Sequence, residues 1–136
     1  MSVAPRYLLD TNILSELIHR PQGVVAQKIA SLGEPAICAS LIVACELRFG
    51  ARKKASPRLS ERVDAVLSAM EVLPLQAPID GIYADIRYHL ATTGMLIGSN
   101  EMPMAAHALT IEATLVTANM GEFSQVSGLP LENWLP

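Results

Sequence analysis

Short apolar runs alternate along the chain with longer amphipathic stretches, and turn residues separate the two. Runs of strand length stand at Tyr7 to Leu9, Ala36 to Ala39, Glu71 to Leu73 and Thr114 to Val116, with a weaker one near Leu131. Pro21-Gln22-Gly23, Gly33-Glu34-Pro35, Ser56-Pro57, Pro74 to Pro78, Gly94, Gly98, Gly121 and Gly128-Leu129-Pro130 punctuate the intervals. Helices are predicted between them. The clearest covers Gly81 to Thr92, where Ile82, Tyr83, Ile86 and Leu90 recur at helical spacing behind Asp80 as a plausible cap. Another runs from Leu41 to Arg52. A short strand followed by helices, repeated, predicts an α/β fold with a parallel sheet sandwiched between helices. No repeat, low-complexity tract or linker marks a second domain, so residues 1–136 are expected to form one.

Composition narrows the class. A chain of 136 residues suits a single core, and 51% hydrophobic residues with a mean hydropathy of +0.33 argue against disorder. The longest apolar stretch, Ala36 to Cys45 with Ser40 inside it, falls short of the roughly 18 residues of a membrane span. Met1 to Arg6 carries one charge and leads directly into a strand, unlike a leader peptide, so a cytoplasmic protein is expected. Cys38 and Cys45 have neither metal-ligand nor redox spacing and read as small buried apolar residues. A net charge of −3 and a pI near 5.5 would not suggest nucleic acid as a partner. Yet Arg48, Arg52, Lys53, Lys54, Arg58 and Arg62 put six of the ten basic side chains in one stretch. They form either solvated helix ends or a surface that follows phosphates.

Polar residues gather where strands give way to helices. Asp10 ends the first apolar run, and Thr11-Asn12 can cap a helix through Ile13, Leu14 and Leu17. That corner is where open α/β sheets place ligands. Glu46 lies on an apolar stripe with Ile42, Val43 and Phe49, so it needs a partner: a cation, or Arg48 or Arg87 in an ion pair. Asn100 can cap a further helix, with Glu101 at the positive end of its dipole and Pro103 tolerated in its first turn. Thr117, Asn119 and Glu122 follow the strand at Thr114 to Val116. If Asp10, Glu46, Glu101 and Asn119 converge, a hard divalent cation relieves the repulsion, and the chain reads as a metal-dependent enzyme acting on phosphates. Taken singly, Asp10 and Glu101 also fit helix-terminal charges, while Asn119 and Glu122 fit a turn and the surface. His107, without a second histidine at ligand spacing, reads as a packing or hydrogen-bonding residue. A receiver-like reading of Asp10 meets no lysine after a late strand, since Lys28, Lys53 and Lys54 all fall in the first half.

Taken in order, Asp10-Thr11-Asn12-Ile13-Leu14-Ser15-Glu16-Leu17, Glu46-Leu47-Arg48-Phe49-Gly50, Ile97-Gly98-Ser99-Asn100-Glu101, Ala105-Ala106-His107-Ala108 and Leu115-Val116-Thr117-Ala118-Asn119 with Glu122-Phe123 resemble PIN-domain ribonuclease toxins of the VapC type. The resemblance runs from Tyr7 to Trp134. It implies a PIN fold whose acidic cluster holds Mg²⁺ or Mn²⁺ for phosphodiester hydrolysis, with Asp10, Glu46, Glu101 and Asn119 as the catalytic and metal-binding residues. It also implies an RNA substrate, a VapB-type antitoxin as partner in a toxin-antitoxin system, and a homodimer. The chain departs from the family in carrying Glu101 where Asp is usual, Pro103 where an apolar residue is usual, and Asn119 where Asp is common. The alternative is a PIN-fold binding module with a weakened or inactive site, acting as an antitoxin partner or RNA-binding subunit.

Overall fold

The computed structural model describes residues 6–95 and 97–136; the reading of the first five residues as no leader lies outside that range. Five parallel strands stand in the order β3-β2-β1-β4-β5: β1 (Tyr7–Leu9), β2 (Ile37–Ser40), β3 (Glu71–Leu73), β4 (Thr114–Val116) and β5 (Leu131–Glu132). Seven helices connect them among the described residues: α1 (Thr11–His19), α2 (Val24–Leu32), α3 (Leu41–Lys53), α4 (Pro57–Ser68), α5 (Ile79–Thr92), α6 (Glu101–Thr110) and α7 (Met120–Phe123). No helix there is long and apolar enough to cross a membrane.

Strand β1 is central because both its faces are buried. Leu8 and Leu9 are fully buried; Tyr7 and Leu8 pair with β2 on one side, and all three residues of the strand pair with β4 on the other. The chain builds outward through β2 to β3, then returns across β1 to β4 and β5. This reversal places the carboxyl ends of β1 and β4 side by side, which opens the crevice where such sheets bind ligands. Beneath it lie Ile13 and Leu14 from α1, Val43 from α3, Met104 and Ala105 from α6, and Phe123 from α7, all buried.

Several boundaries differ from expectation. Strand β2 starts at Ile37, since Glu34–Ala36 forms a 3₁₀ turn after Gly33. Helix α5 starts at Ile79 with Pro78 at its cap position, so Asp80 sits inside the first turn and contributes charge at the helix's positive end. Asn100 occupies the cap position of α6, but its side chain makes no capping hydrogen bond. Cys38 is buried as expected, whereas Cys45 is exposed on α3.

Candidate active site

Asp10 joins three elements. Its backbone N–H donates to Val116 O (2.9 Å), extending the pairing of β1 with β4 by one residue. Its side chain caps α1, Oδ1 accepting from Thr11 N at 2.8 Å. The other oxygen, Oδ2, accepts from the hydroxyl of Thr117 at 2.8 Å, and that hydroxyl oxygen in turn accepts from Asn119 N at 3.0 Å. Capping and site chemistry are therefore not alternatives: the bonds that cap the helix also fix the orientation of the carboxylate. Thr117 is fully buried and was not among the expected site residues; its polarity directly after an apolar strand was the available signal.

Asp10, Glu46, Glu101 and Asn119 all line one cavity of about 290 Å³, together with Thr11 and Asn100. Glu46 is half-buried on the second turn of α3. Neither arginine pairs with it, for Arg48 pairs with Asp64 and Arg87 donates to the Tyr83 hydroxyl. Nor does its apolar stripe extend as expected, since Phe49 is 66% exposed while Val43 is buried. Glu101 opens α6 and curls back so that its own backbone N–H stabilises its charge. The curl brings its carboxylate over Gly98, where any Cβ would collide with it. Asn119 donates from Nδ2 to Glu122 at 2.7 Å, which leaves its carbonyl oxygen as the group able to serve a ligand. Glu122 is thus no plain surface residue: it is half-buried and its charge acts on Glu101.

Burial is the main reason all three carboxyls hold their protons above the usual carboxylate range. For Asp10 the bonds from Thr11 and Thr117 oppose the rise. At Glu46 the charges of Asp10 and Glu101 add to it, and at Glu101 those of Glu122 and Asp10 do. Such mutual repulsion marks a place that favours positive charge. The carboxyl, hydroxyl and amide carbonyl groups around the cavity supply the oxygen donors that hard divalent cations prefer, with the Met104 thioether as the one sulfur in its wall. Thr11 Oγ1 is buried there without a hydrogen bond of ordinary geometry, although it lies near enough to Glu46 to favour the charged carboxylate. Among the described residues, no three His, Cys, Asp or Glu side chains stand close enough together to hold an ion as positioned. The fit therefore rests on donor chemistry.

A larger cavity of about 360 Å³ between α1, α2 and α4 has a largely apolar wall, with Glu34 and Arg62 as its charged members. His107, as expected, is a packing and hydrogen-bonding residue, buried with Nδ1 2.8 Å from Ser40 Oγ.

Residues 7–129 match the PIN domain family model. Over 130 residues the chain is 35% identical to the ribonuclease VapC2 of Rickettsia felis, covering 94% of this chain and 97% of that protein. A tRNA(fMet)-specific endonuclease VapC of Shigella flexneri is 31% identical over 95% of this chain and 98% of its own length. The crystal structure of VapBC2 from Rickettsia felis bound to a promoter DNA fragment holds a chain with a TM-score of 0.88 and 33% identity, covering 95% of this chain and 98% of that one. A strand order that opens a crevice between β1 and β4, a carboxylate-lined cavity at its mouth, and sequence identity over nearly the full length agree: the chain belongs to the PIN-domain family, in its VapC group.

Proposed function

We propose that the protein is a metal-dependent endoribonuclease, the toxin of a VapBC-type toxin-antitoxin system, acting in the cytoplasm. The carrying observation is the convergence of Asp10, Glu46, Glu101 and Asn119 on one cavity at the carboxyl edge of the sheet. Asp10, Glu46 and Glu101 would hold Mg²⁺ or Mn²⁺, with the carbonyl oxygen of Asn119 at the fourth place. A cation bound at such a site activates water and offsets the charge developing at phosphorus and on the leaving oxygen. Thr11 N–H and the Thr117 hydroxyl hold Asp10 in one orientation, so the first donor is set before substrate arrives. No side-chain nucleophile is required. The naming of relatives as ribonucleases and as a tRNA(fMet)-specific endonuclease supports RNA as the substrate and makes tRNA(fMet) the first RNA to test. A VapB-type antitoxin as partner is supported by the VapBC complex whose fold this chain shares; a homodimer is part of the same proposal.

Asp10→Asn and Glu46→Gln should each abolish cleavage of tRNA by purified protein in metal-controlled buffer while leaving the circular dichroism spectrum unchanged. Cleavage retained by both variants would falsify the hydrolase mechanism. The binding-module reading draws on Glu101 and Asn119, the departures from the usual acidic set. Under that reading Glu101→Asp raises cleavage and tightens Mn²⁺ binding; a slower Glu101→Asp enzyme shows a site adapted to glutamate.

A further inference from the structure

The acidic cavity does not end at the carboxylates. Thr11, Ser15 and Glu46 also line a second hollow, of about 170 Å³, that follows α1 toward its C-terminus. That hollow shares His19, Lys54 and Leu59 with a third, of about 290 Å³, whose wall is completed by Ser56, Arg58 and Arg62. The three make one groove with opposite charge at its two ends. From Thr11 to His19 it extends about 12 Å along the helix, at about 1.5 Å per residue.

The groove also divides the basic stretch. Arg48 is neutralised by Asp64 at 2.5 Å. Arg52 and Lys53 are exposed and line none of the three hollows. Lys54, Arg58 and Arg62 converge on the far hollow, and among the described residues none of them forms an ion pair. Like charges gathered in one concavity whose own wall carries no acidic side chain are a place for an anion, even though Arg62 also borders the cavity that holds Glu34 and Lys54 the hollow that holds Glu46. Ser56 Oγ already accepts from Leu59 N (3.1 Å), so its hydroxyl hydrogen is the part left to donate, as an anion requires.

We propose that Lys54, Arg58 and Arg62, with Ser56 beside them, form a phosphate subsite that grips the backbone of single-stranded RNA a short way along the strand from the bond held over the acidic cavity. This rests on the ribonuclease reading and adds a positioning function to it. The subsite aligns the strand along α1 without reading its sequence, because phosphate contacts set register rather than specificity.

The test separates binding from chemistry. Affinity of Asp10→Asn protein for a short oligoribonucleotide is measured against salt, alone and with Lys54→Gln/Arg58→Gln/Arg62→Gln added. Each single-strand phosphate contact contributes about 0.7 to the slope of log affinity against log salt, so the slope should fall by about 2. Charge-conserving Lys54→Arg/Arg58→Lys/Arg62→Lys should restore it, and Arg52→Gln/Lys53→Gln should leave it unchanged. In the cleaving protein the triple Gln variant should raise KM for the oligonucleotide and leave kcat near its original value. An unchanged slope, or a loss that follows Arg52 and Lys53 instead, overturns the subsite. So does a triple variant that binds RNA normally but no longer binds an acidic peptide, for the hollow then serves a protein partner. If the chain cleaves no RNA yet the slope still falls by about 2, the subsite stands and the nuclease reading fails.

Discussion

At the scale of single residues the site is a set of groups held where they are uncomfortable. Glu46 and Glu101 are kept, chiefly by burial and then by neighbouring charge, Asp10 and Glu101 acting on Glu46 and Glu122 and Asp10 acting on Glu101, in an environment that disfavours ionisation. A carboxyl whose folded pKa lies above its unfolded one costs stability at every pH above the folded value, and the cost is relieved as pH falls into the carboxylate range. Glu46→Gln should therefore melt higher than the parent at pH 7 in the presence of chelator, and the difference should vanish near pH 4; thermal melts at both values check it. Thr117 works in the opposite sense. Replacing it with Val removes the donor to Asp10 Oδ2 and the acceptor of Asn119 N, a loss of about 1–3 kcal/mol for a buried unsatisfied pair. Thr117→Val should melt lower and cleave more slowly, with Thr117→Ser restoring both. Asp10 and Glu46 stood out in the sequence as polar residues ending an apolar run and interrupting an apolar stripe, whereas Glu101 fitted a helix-terminal charge and Asn119 a turn until the family resemblance singled them out. Thr117 was not legible, because its importance lies in a bond to a residue far away in sequence.

Among the elements, strands were read well: β1 and β4, with buried apolar residues on both faces, leave unmistakable runs, and the half-buried edge strand β3 also starts where expected, at Glu71. Of the helix starts, Leu41 opens α3 and Asn100 takes the cap position of α6 as expected, although without a capping side-chain bond, whereas α5 starts at Ile79 behind Pro78, ahead of the expected cap Asp80. The entry to α6 illustrates what spacing alone hides. Glu101 is one methylene longer than the family's usual Asp, and its side chain folds over Gly98 instead of extending. Only the absence of a Cβ at 98 permits this. Gly98→Ala should shift the melting temperature little, because the group in collision is the mobile end of a side chain, and should still displace the carboxylate. A displacement on the order of 1 Å is enough to lower the rate about a hundredfold. Wild-type cleavage by a folded Gly98→Ala protein would mean that the curled position of Glu101 has no part in the reaction.

For the whole molecule, the sheet order makes function possible by bringing together residues that the sequence keeps far apart. Asp10 and Asn119 meet because β1 and β4 are neighbours, while α3 and α6 bring in Glu46 and Glu101. Each of these junctions depends on the folded state, so an ion bound there by the proposed donors must stabilise the fold as a whole. At ten times its dissociation constant a ligand of the native state alone contributes about 1.4 kcal/mol, and for a domain of this size that is roughly 4–6 °C in melting temperature. Mn²⁺ should raise the melting temperature of the parent protein by that amount and do far less for Asp10→Asn. Because Asp10, Glu46 and Glu101 all hold protons more tightly than free carboxyls, ion and proton compete for the same oxygens. Protection should therefore fade as pH is lowered, starting above the usual carboxylate range, and be restored by more Mn²⁺. A Mn²⁺ effect of equal size in Asp10→Asn, or one indifferent to pH across that window, would place the ion somewhere other than this cavity.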